Sequence, residues 1–238
     1  MRILVTGAGG RMGGALARAC AREGARLVLT SRSATRIEAL AAELGAVAIR
    51  ADFLDDAQVD RLAQVALDAF GGIDGVILSS QPAEPALGDL LTTREADWRE
   101  QQQAIAWGPF RLVKALAPGM IAAGGGSILA ITSSTGSEPV PGYGAYGLAK
   151  AMLWTLTRYI AAEWGQYGIR ANAIMPGSIA TGGPGAPRAD APPAAMLART
   201  PLGRLGTSAE VAGAAVFLLS DEASYVTGQN VSVNGGRI

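Results

Sequence analysis

The chain predicts a doubly wound α/β fold, a single domain over residues 1–238 with a seven-stranded parallel sheet and helices on both faces. Three observations lead there. Short apolar runs alternate with longer amphipathic segments along the whole chain, in the order that builds βαβ units. The first apolar run ends in a glycine cluster, Gly7-Ala-Gly-Gly10, that opens onto a helical segment. No linker separates the halves, and 238 residues is an ordinary length for one α/β core.

Taken in order, residues 2–6 form the first strand and 15–23 the first helix, with the glycines between them. Strand, glycine turn and helix in this sequence bring backbone N–H groups to a pyrophosphate at a helix N-terminus, although glycines alone also fit a plain tight turn. The second strand, 27–30, is followed by Ser31 and Arg32 rather than by an acid. An acid there binds a ribose 2′-hydroxyl and an arginine accommodates a 2′-phosphate, so NADP is expected rather than NAD. A helix over 35–44, a strand over 47–49 with Asp52 after it, and a helix over 57–70 closed by Gly71-Gly72 complete the first half.

The fourth strand, 76–78, runs into Ser79-Ser80-Gln81-Pro82 and a proline-rich loop. Helical periodicity over 95–122 is interrupted at Gly108-Pro109, where proline is expected to kink or break the helix. The fifth strand, 127–132, delivers Ser133 and Ser134 to the carboxyl edge of the sheet, where open parallel sheets bind ligands. A loop over 136–142 leads to a helix over 145–163. The sixth strand, 168–175, ends at Pro176-Gly177. Residues 178–193 are rich in glycine, proline and alanine and read as a lid, about 178–200, or as a surface insertion. A helix over 208–219, capped by Thr207 or Ser208, and a seventh strand over 229–233 close the chain.

Composition narrows the chemistry. Net charge is zero and the pI is near 6.3, which speaks against nucleic acid or an anionic membrane surface as partner. The chain has no histidine and one cysteine, Cys20, so imidazole metal sites, a Ser-His-Asp triad and an intrachain disulfide are excluded, and no metal is expected. No apolar run approaches the roughly 18 residues that span a bilayer, and no leader precedes Arg2, so a cytoplasmic protein is expected. Tyr146 and Lys150 stand one turn apart on the 145–163 helix. A phenol titrates near pH ~10 and works as an acid or base near neutrality only beside a cation that stabilises its phenolate. Lys150 is such a cation and one of only two lysines, although the pair alone also fits a solvated helix face.

Thr6-Gly7 with Gly13, Asp52, Ser133 thirteen residues before Tyr146, Lys150, and Ile169-Arg-Ala-Asn-Ala-Ile-Met-Pro-Gly177 followed by Thr181 together resemble the short-chain dehydrogenase/reductases. Pro201-Leu-Gly-Arg-Leu-Gly206, Glu210-Val-Ala212 and Val226-Thr-Gly-Gln229 extend the resemblance nearly end to end, in the manner of the 3-oxoacyl-carrier-protein reductases. The resemblance implies a Rossmann-like domain and an NADP(H)-dependent oxidoreductase that interconverts a ketone and a secondary alcohol. Tyr146 would be its general acid or base, Ser133 would hydrogen-bond the reacting oxygen, and Lys150 would bind the nicotinamide ribose and, with the cationic nicotinamide, lower the Tyr146 pKa. Thr6, Gly7, Met12 and Gly13 would lie at the pyrophosphate and its ribose, with Arg11 near a cofactor phosphate. Ser31 and Arg32 would hold the 2′-phosphate, and Asp52, Phe53 and Ser80 the adenine side. Pro176, Gly177, Ile179 and Thr181 would meet the nicotinamide end. A homotetramer or homodimer through 95–122, 145–163 and 208–233 is also implied.

The chain departs from that pattern. Arg11 replaces a glycine, as in the pteridine-reductase branch, which makes it a second signal for NADP and, with Arg32, part of the implied 2′-phosphate site. Leu78-Ser-Ser-Gln81 stands where the family has Asn-Asn-Ala-Gly, and Ile105 stands where a helix asparagine often completes the site, leaving only a main-chain carbonyl to hold a water. Tyr143, seven residues before Lys150, has the spacing of the divergent enoyl reductases. Two alternatives therefore stand beside the first reading: an enoyl-thioester reductase using Tyr143, and a non-catalytic NADP-binding sensor. The substrate stays open. Pro184, Pro187, Pro192, Pro193 and Met196 with Trp98, Trp107 and Trp154 read as a pocket for a cyclic or acyl ketone, or the tryptophans as core and subunit contacts.

Overall fold

A computed structural model describes residues 1–82, 86–180 and 193–237. Its seven strands are β1 (Arg2–Val5), β2 (Arg26–Ser31), β3 (Val47–Arg50), β4 (Gly75–Leu78), β5 (Gly126–Ile131), β6 (Ile169–Pro176) and β7 (Asn230–Val233). They form one sheet in the order β3-β2-β1-β4-β5-β6-β7, with every pairing parallel. β1 pairs with β2 on one side and β4 on the other, so the chain's path reverses there and a crevice opens at the carboxyl ends of the strands.

The strands are apolar on both sides because both sides are covered. Leu4, Val28 and Val76 pack with α3 (Asp56–Phe70), α5 (Gly108–Ala122) and α6 (Gly144–Trp164). Ile3, Val5, Leu27 and Leu29 pack on the opposite face with α1 (Arg11–Arg22), α2 (Ala34–Leu44) and α8 (Ser208–Leu219). Caps set the helix ends. The Asp55 carboxylate accepts the N–H groups of Ala57 and Gln58, and Gly71 in the left-handed region stops α3. Thr207, not Ser208, caps α8, in a reciprocal pair with Glu210.

Two local expectations change. α1 begins at Arg11, four residues earlier than its apolar spacing predicts, because Gly13 and Gly14 lie inside it. Proline does not break the 95–122 segment. α4 (Glu95–Gln102) runs into a π turn, Gln103–Trp107, and α5 follows directly. The Gly108 N–H reaches back to the Gln103 carbonyl, and Pro109 has no N–H for the next carbonyl, that of Ala104. The Ser80 hydroxyl takes that place at 3.1 Å. Ile105 is fully buried in the core, and the residue of this turn that lines the cleft is Ala104. α7 (Ala194–Ala198) lies in the expected lid, whose residues 181–192 are outside the described ones. No helix among the described residues is long and apolar enough to cross a membrane.

Candidate active site

The crevice at the β1/β4 reversal is a cleft of about 790 Å³. Glycines shape its floor. Gly7 has φ of 65°, and a Cβ on it would fall on the Ser79 carbonyl. A Cβ on Gly13 would fall on the Gly7 carbonyl, so α1 closes onto the turn only without one. Gly10 caps α1 with no side-chain acceptor, which leaves the N–H groups of the first turn facing the cleft. Thr6 is fully buried and does not line the cleft. Its hydroxyl oxygen accepts the N–H groups of Ser79 and Ser80 at 2.9 and 3.1 Å, which fixes the end of β4 beside β1.

At one end the cleft is lined by Ser31, Arg32, Ser33, Arg36, Asp52 and Phe53. The Ser31 hydroxyl accepts the Ser33 N–H at 3.1 Å and lies where a Cβ on Gly9 would come within 2.6 Å. The Asp52 carboxylate accepts the Leu54 N–H at 3.1 Å, and its own N–H donates to Gln58. Among the described residues that line it, Arg11, Arg32, Arg36 and Lys150 stand against Asp52 as the one carboxylate. Arg36 was not anticipated. It stands in the first turn of α2, just after the β2 end that carries Ser31 and Arg32, and the apolar spacing of α2 gives no sign of the side it faces.

At the other end Ser133, Tyr146 and Lys150 meet, with Ile131, Thr132, Pro176 and Gly177 around them. Lys150 is 2% exposed and donates to the Ile131 carbonyl at 2.7 Å. Its Nζ lies 5.6 Å from the centre of the Tyr146 ring, so one helical turn does place the two together. Burial pulls the Lys150 ammonium down to about 8. Burial pushes the Tyr146 phenol up to about 12, a hydrogen bond with Ser133 opposes this, and Tyr143 adds to it. In the chain alone desolvation therefore outweighs any help from Lys150, the reverse of the lowering expected with a cationic nicotinamide beside it.

Arg11, Met12, Ser80, Gly7 and Gly13 also line the cleft, as anticipated. Ile179 does not; it packs on the core and bridges to Gly206. Thr181 lies outside the described residues. Gln81 and Pro82, which the sequence set at the end of β4 without a role, line the cleft, and so does Ala104, which had no sequence signal. Tyr143 sits at the N-cap of α6 with its ring centre 6.4 Å from that of Tyr146, and it is not among the residues that line the cleft. Neither are the tryptophans: Trp98 and Trp107 are partly exposed and Trp154 packs against the core.

A family model described as enoyl-(acyl carrier protein) reductase matches residues 7–237. The chain is 36% identical to a protein of Xanthobacter autotrophicus named inactive 2-(S)-hydroxypropyl-CoM dehydrogenase 2, over 93% of this chain and 98% of that one. It is also 36% identical to the galactitol 2-dehydrogenase (L-tagatose-forming) of Cereibacter sphaeroides, over 98% of this chain and 92% of that one. A solved short-chain type dehydrogenase/reductase from Mycobacterium ulcerans superposes with a TM-score of 0.91 at 29% identity, covering 99% of this chain and 88% of that one. With these matches and this sheet, the chain belongs to the short-chain dehydrogenase/reductase family, NAD(P)-dependent oxidoreductases of CH–OH and C=O groups.

Proposed function

We propose that the chain is an NADP(H)-dependent enzyme that interconverts a ketone and a secondary alcohol, with Tyr146 moving the proton. The observation that carries this reading is the meeting of Ser133, Tyr146 and Lys150 at one end of a cleft whose other end holds Arg32 and Arg36. The residues fit a dinucleotide: the uncapped start of α1, the Gly7 and Gly13 positions that exclude a Cβ, and an excess of cationic groups suit a polyanion. Ser31, Arg32 and Arg36 would hold the 2′-phosphate, Arg11 and the first turn of α1 the pyrophosphate, Asp52, Phe53 and Ser80 the adenine side, and Pro176, Gly177 and Thr181 the nicotinamide end. Thr6 and Ile179 would act from behind, as supports of the cleft wall.

Reduced nicotinamide, when bound, supplies the hydride. The chain supplies position and the proton: the Tyr146 hydroxyl, protonated at neutral pH, gives its proton to the carbonyl oxygen as negative charge develops there. Ser133 hydrogen-bonds the same oxygen. The Lys150 ammonium, still charged at pH 7, stabilises the phenolate left behind.

The description of the family model supports a second reading, enoyl-thioester reduction with Tyr143 as proton donor. Against it, Tyr146 rather than Tyr143 faces the cleft. The proposal includes a homotetramer or homodimer. Leu148, Met152 and Tyr159 leave an apolar stripe exposed on α6, and Trp98 and Trp107 lie exposed on the neighbouring segment. A cytoplasmic location belongs to the same proposal, in keeping with Cys20 as a buried free thiol.

The test is a fluorescence titration with NADPH and NADH, followed by turnover on ketones, 3-oxoacyl thioesters and enoyl thioesters. Wild-type protein is expected to favour NADPH by roughly 10–100-fold, the worth of charge-assisted hydrogen bonds to one phosphate. Arg32→Asp should erase that preference by weakening NADPH binding without lowering the melting temperature. Tighter NADH binding by the wild type would overturn the cofactor assignment.

A further inference from the structure

Ser133 reaches the cleft from a single 3₁₀ turn, Ser134–Gly136, and its hydroxyl faces two groups of one residue on that turn. The Thr135 N–H donates to Ser133 Oγ at 3.3 Å, and the Thr135 hydroxyl lies 3.0 Å from the same oxygen. A serine hydroxyl has two lone pairs and one proton. An N–H can only donate, so one lone pair is taken. Thr135 Oγ1 makes no other hydrogen bond among the described residues, and when it donates to Ser133 Oγ it fills the second lone pair. In that arrangement the group left on Ser133 is its own O–H, free to turn to the cleft that Ser133 lines with Tyr146.

The turn is held in that attitude. A Cβ on Gly147 would come within 2.6 Å of the Thr135 carbonyl, so α6 packs against Thr135 one residue after Tyr146. A Cβ on Gly136 would come within 3.0 Å of the Ala151 N, so the same turn also touches α6 one residue beyond Lys150. The Ser133–Thr135 pair is thus fixed to the helix that carries Tyr146 and Lys150.

We propose that Thr135 is a positioning residue that makes Ser133 an obligatory proton donor towards the reacting oxygen. Thr135 itself lies behind the cleft wall and touches no reacting atom. With both lone pairs filled, Ser133 cannot accept the Tyr146 proton, so that proton is kept for the carbonyl oxygen. Ketone reduction needs this polarity, because the oxygen that gains charge is then met by two donors. The inference rests on the ketone-reductase reading above.

The kinetic test is a double-mutant cycle in the full-length protein. Thr135→Val keeps the N–H and the side-chain shape and removes the hydroxyl. It is expected to lower kcat roughly tenfold, the order of one hydrogen bond, with KM for NADPH unchanged. Thr135→Ser should restore kcat. In a Ser133→Ala background Thr135→Val should cost nothing further, because the group it orients is gone. An equal loss in both backgrounds, or a failure of Thr135→Ser to restore kcat, would reduce Thr135 to a structural role and overturn the proposal. The second measurement needs no turnover. Neutron diffraction from deuterium-exchanged crystals should place the Ser133 deuteron towards the cleft and the Thr135 deuteron on the Ser133 oxygen; the reverse placement also overturns it. If Ser133→Ala and Tyr146→Phe leave turnover intact, the reductase reading fails instead, and the deuteron positions still decide how Thr135 orients Ser133.

Discussion

Replacing Tyr146 by phenylalanine is expected to lower kcat for ketone reduction by roughly 10²–10⁴-fold, the range of a lost general acid. Tyr143→Phe should leave kcat at the wild-type order of magnitude. The reasoning is geometric first. Tyr146 lines the cleft with Ser133 and Lys150, whereas Tyr143 sits at the head of α6. Electrostatics sets the protonation state but not the ease of transfer. With its pKa pushed up to about 12 by burial, the Tyr146 phenol carries its proton across the whole neutral range, and giving it up depends on a cation beside the phenolate left behind. The ring packs against the core, and phenylalanine keeps that packing, so NADPH affinity and melting temperature should move little. Separate measurements of kcat on a ketone and on an enoyl thioester decide between the readings. If Tyr143→Phe is the damaging change, the enoyl-thioester reading replaces the one proposed.

The outline of this site was legible because it depends on spacing. Tyr146 and Lys150 are one turn apart, Ser133 ends a strand, and a glycine turn follows the first strand; each of these survives folding unchanged. What was not legible depends on surfaces brought together from far apart. Arg36 faces the cleft because of how α2 sits after β2, and the apolar periodicity of α2 is silent about which polar side that is. Thr6 looks like a contact residue in a motif but is buried, because the ends of β1 and β4 need an acceptor for two N–H groups. Pro109 reads as a helix breaker. Its effect was displaced one turn back, where the carbonyl it leaves without a donor is claimed by Ser80, a residue of the strand end that lost the family's asparagines. The Tyr146 pKa is the clearest case: proximity to a cation is visible in a sequence, and the depth of burial that opposes it is not.

Lys150→Met is expected to abolish turnover and yet to stabilise the free protein below pH 8. Lys150 is buried with no carboxylate paired to it among the described residues, and burial alone depresses its pKa from 10.5 to about 8. That shift corresponds to about 3 kcal/mol of stability forgone at neutral pH. Methionine removes this penalty and fills similar space, but it leaves the Ile131 carbonyl without its donor, which costs roughly 1–3 kcal/mol. The net gain at pH 7 is therefore small, and the pH dependence is the sharper measurement. Because the folded pKa lies below the unfolded one, the unfolded chain binds more protons between pH 8 and 10.5, and wild-type stability rises with pH through that window. The variant lacks this term. Urea unfolding at pH 7 and 9.5 should therefore show the wild type gaining about 2 kcal/mol on Lys150→Met between the two. A constant difference would mean that the lysine is solvated in the folded protein. A charge so placed weakens the fold at neutral pH, and in the proposed mechanism what it stabilises in return is the Tyr146 phenolate that forms when the proton leaves.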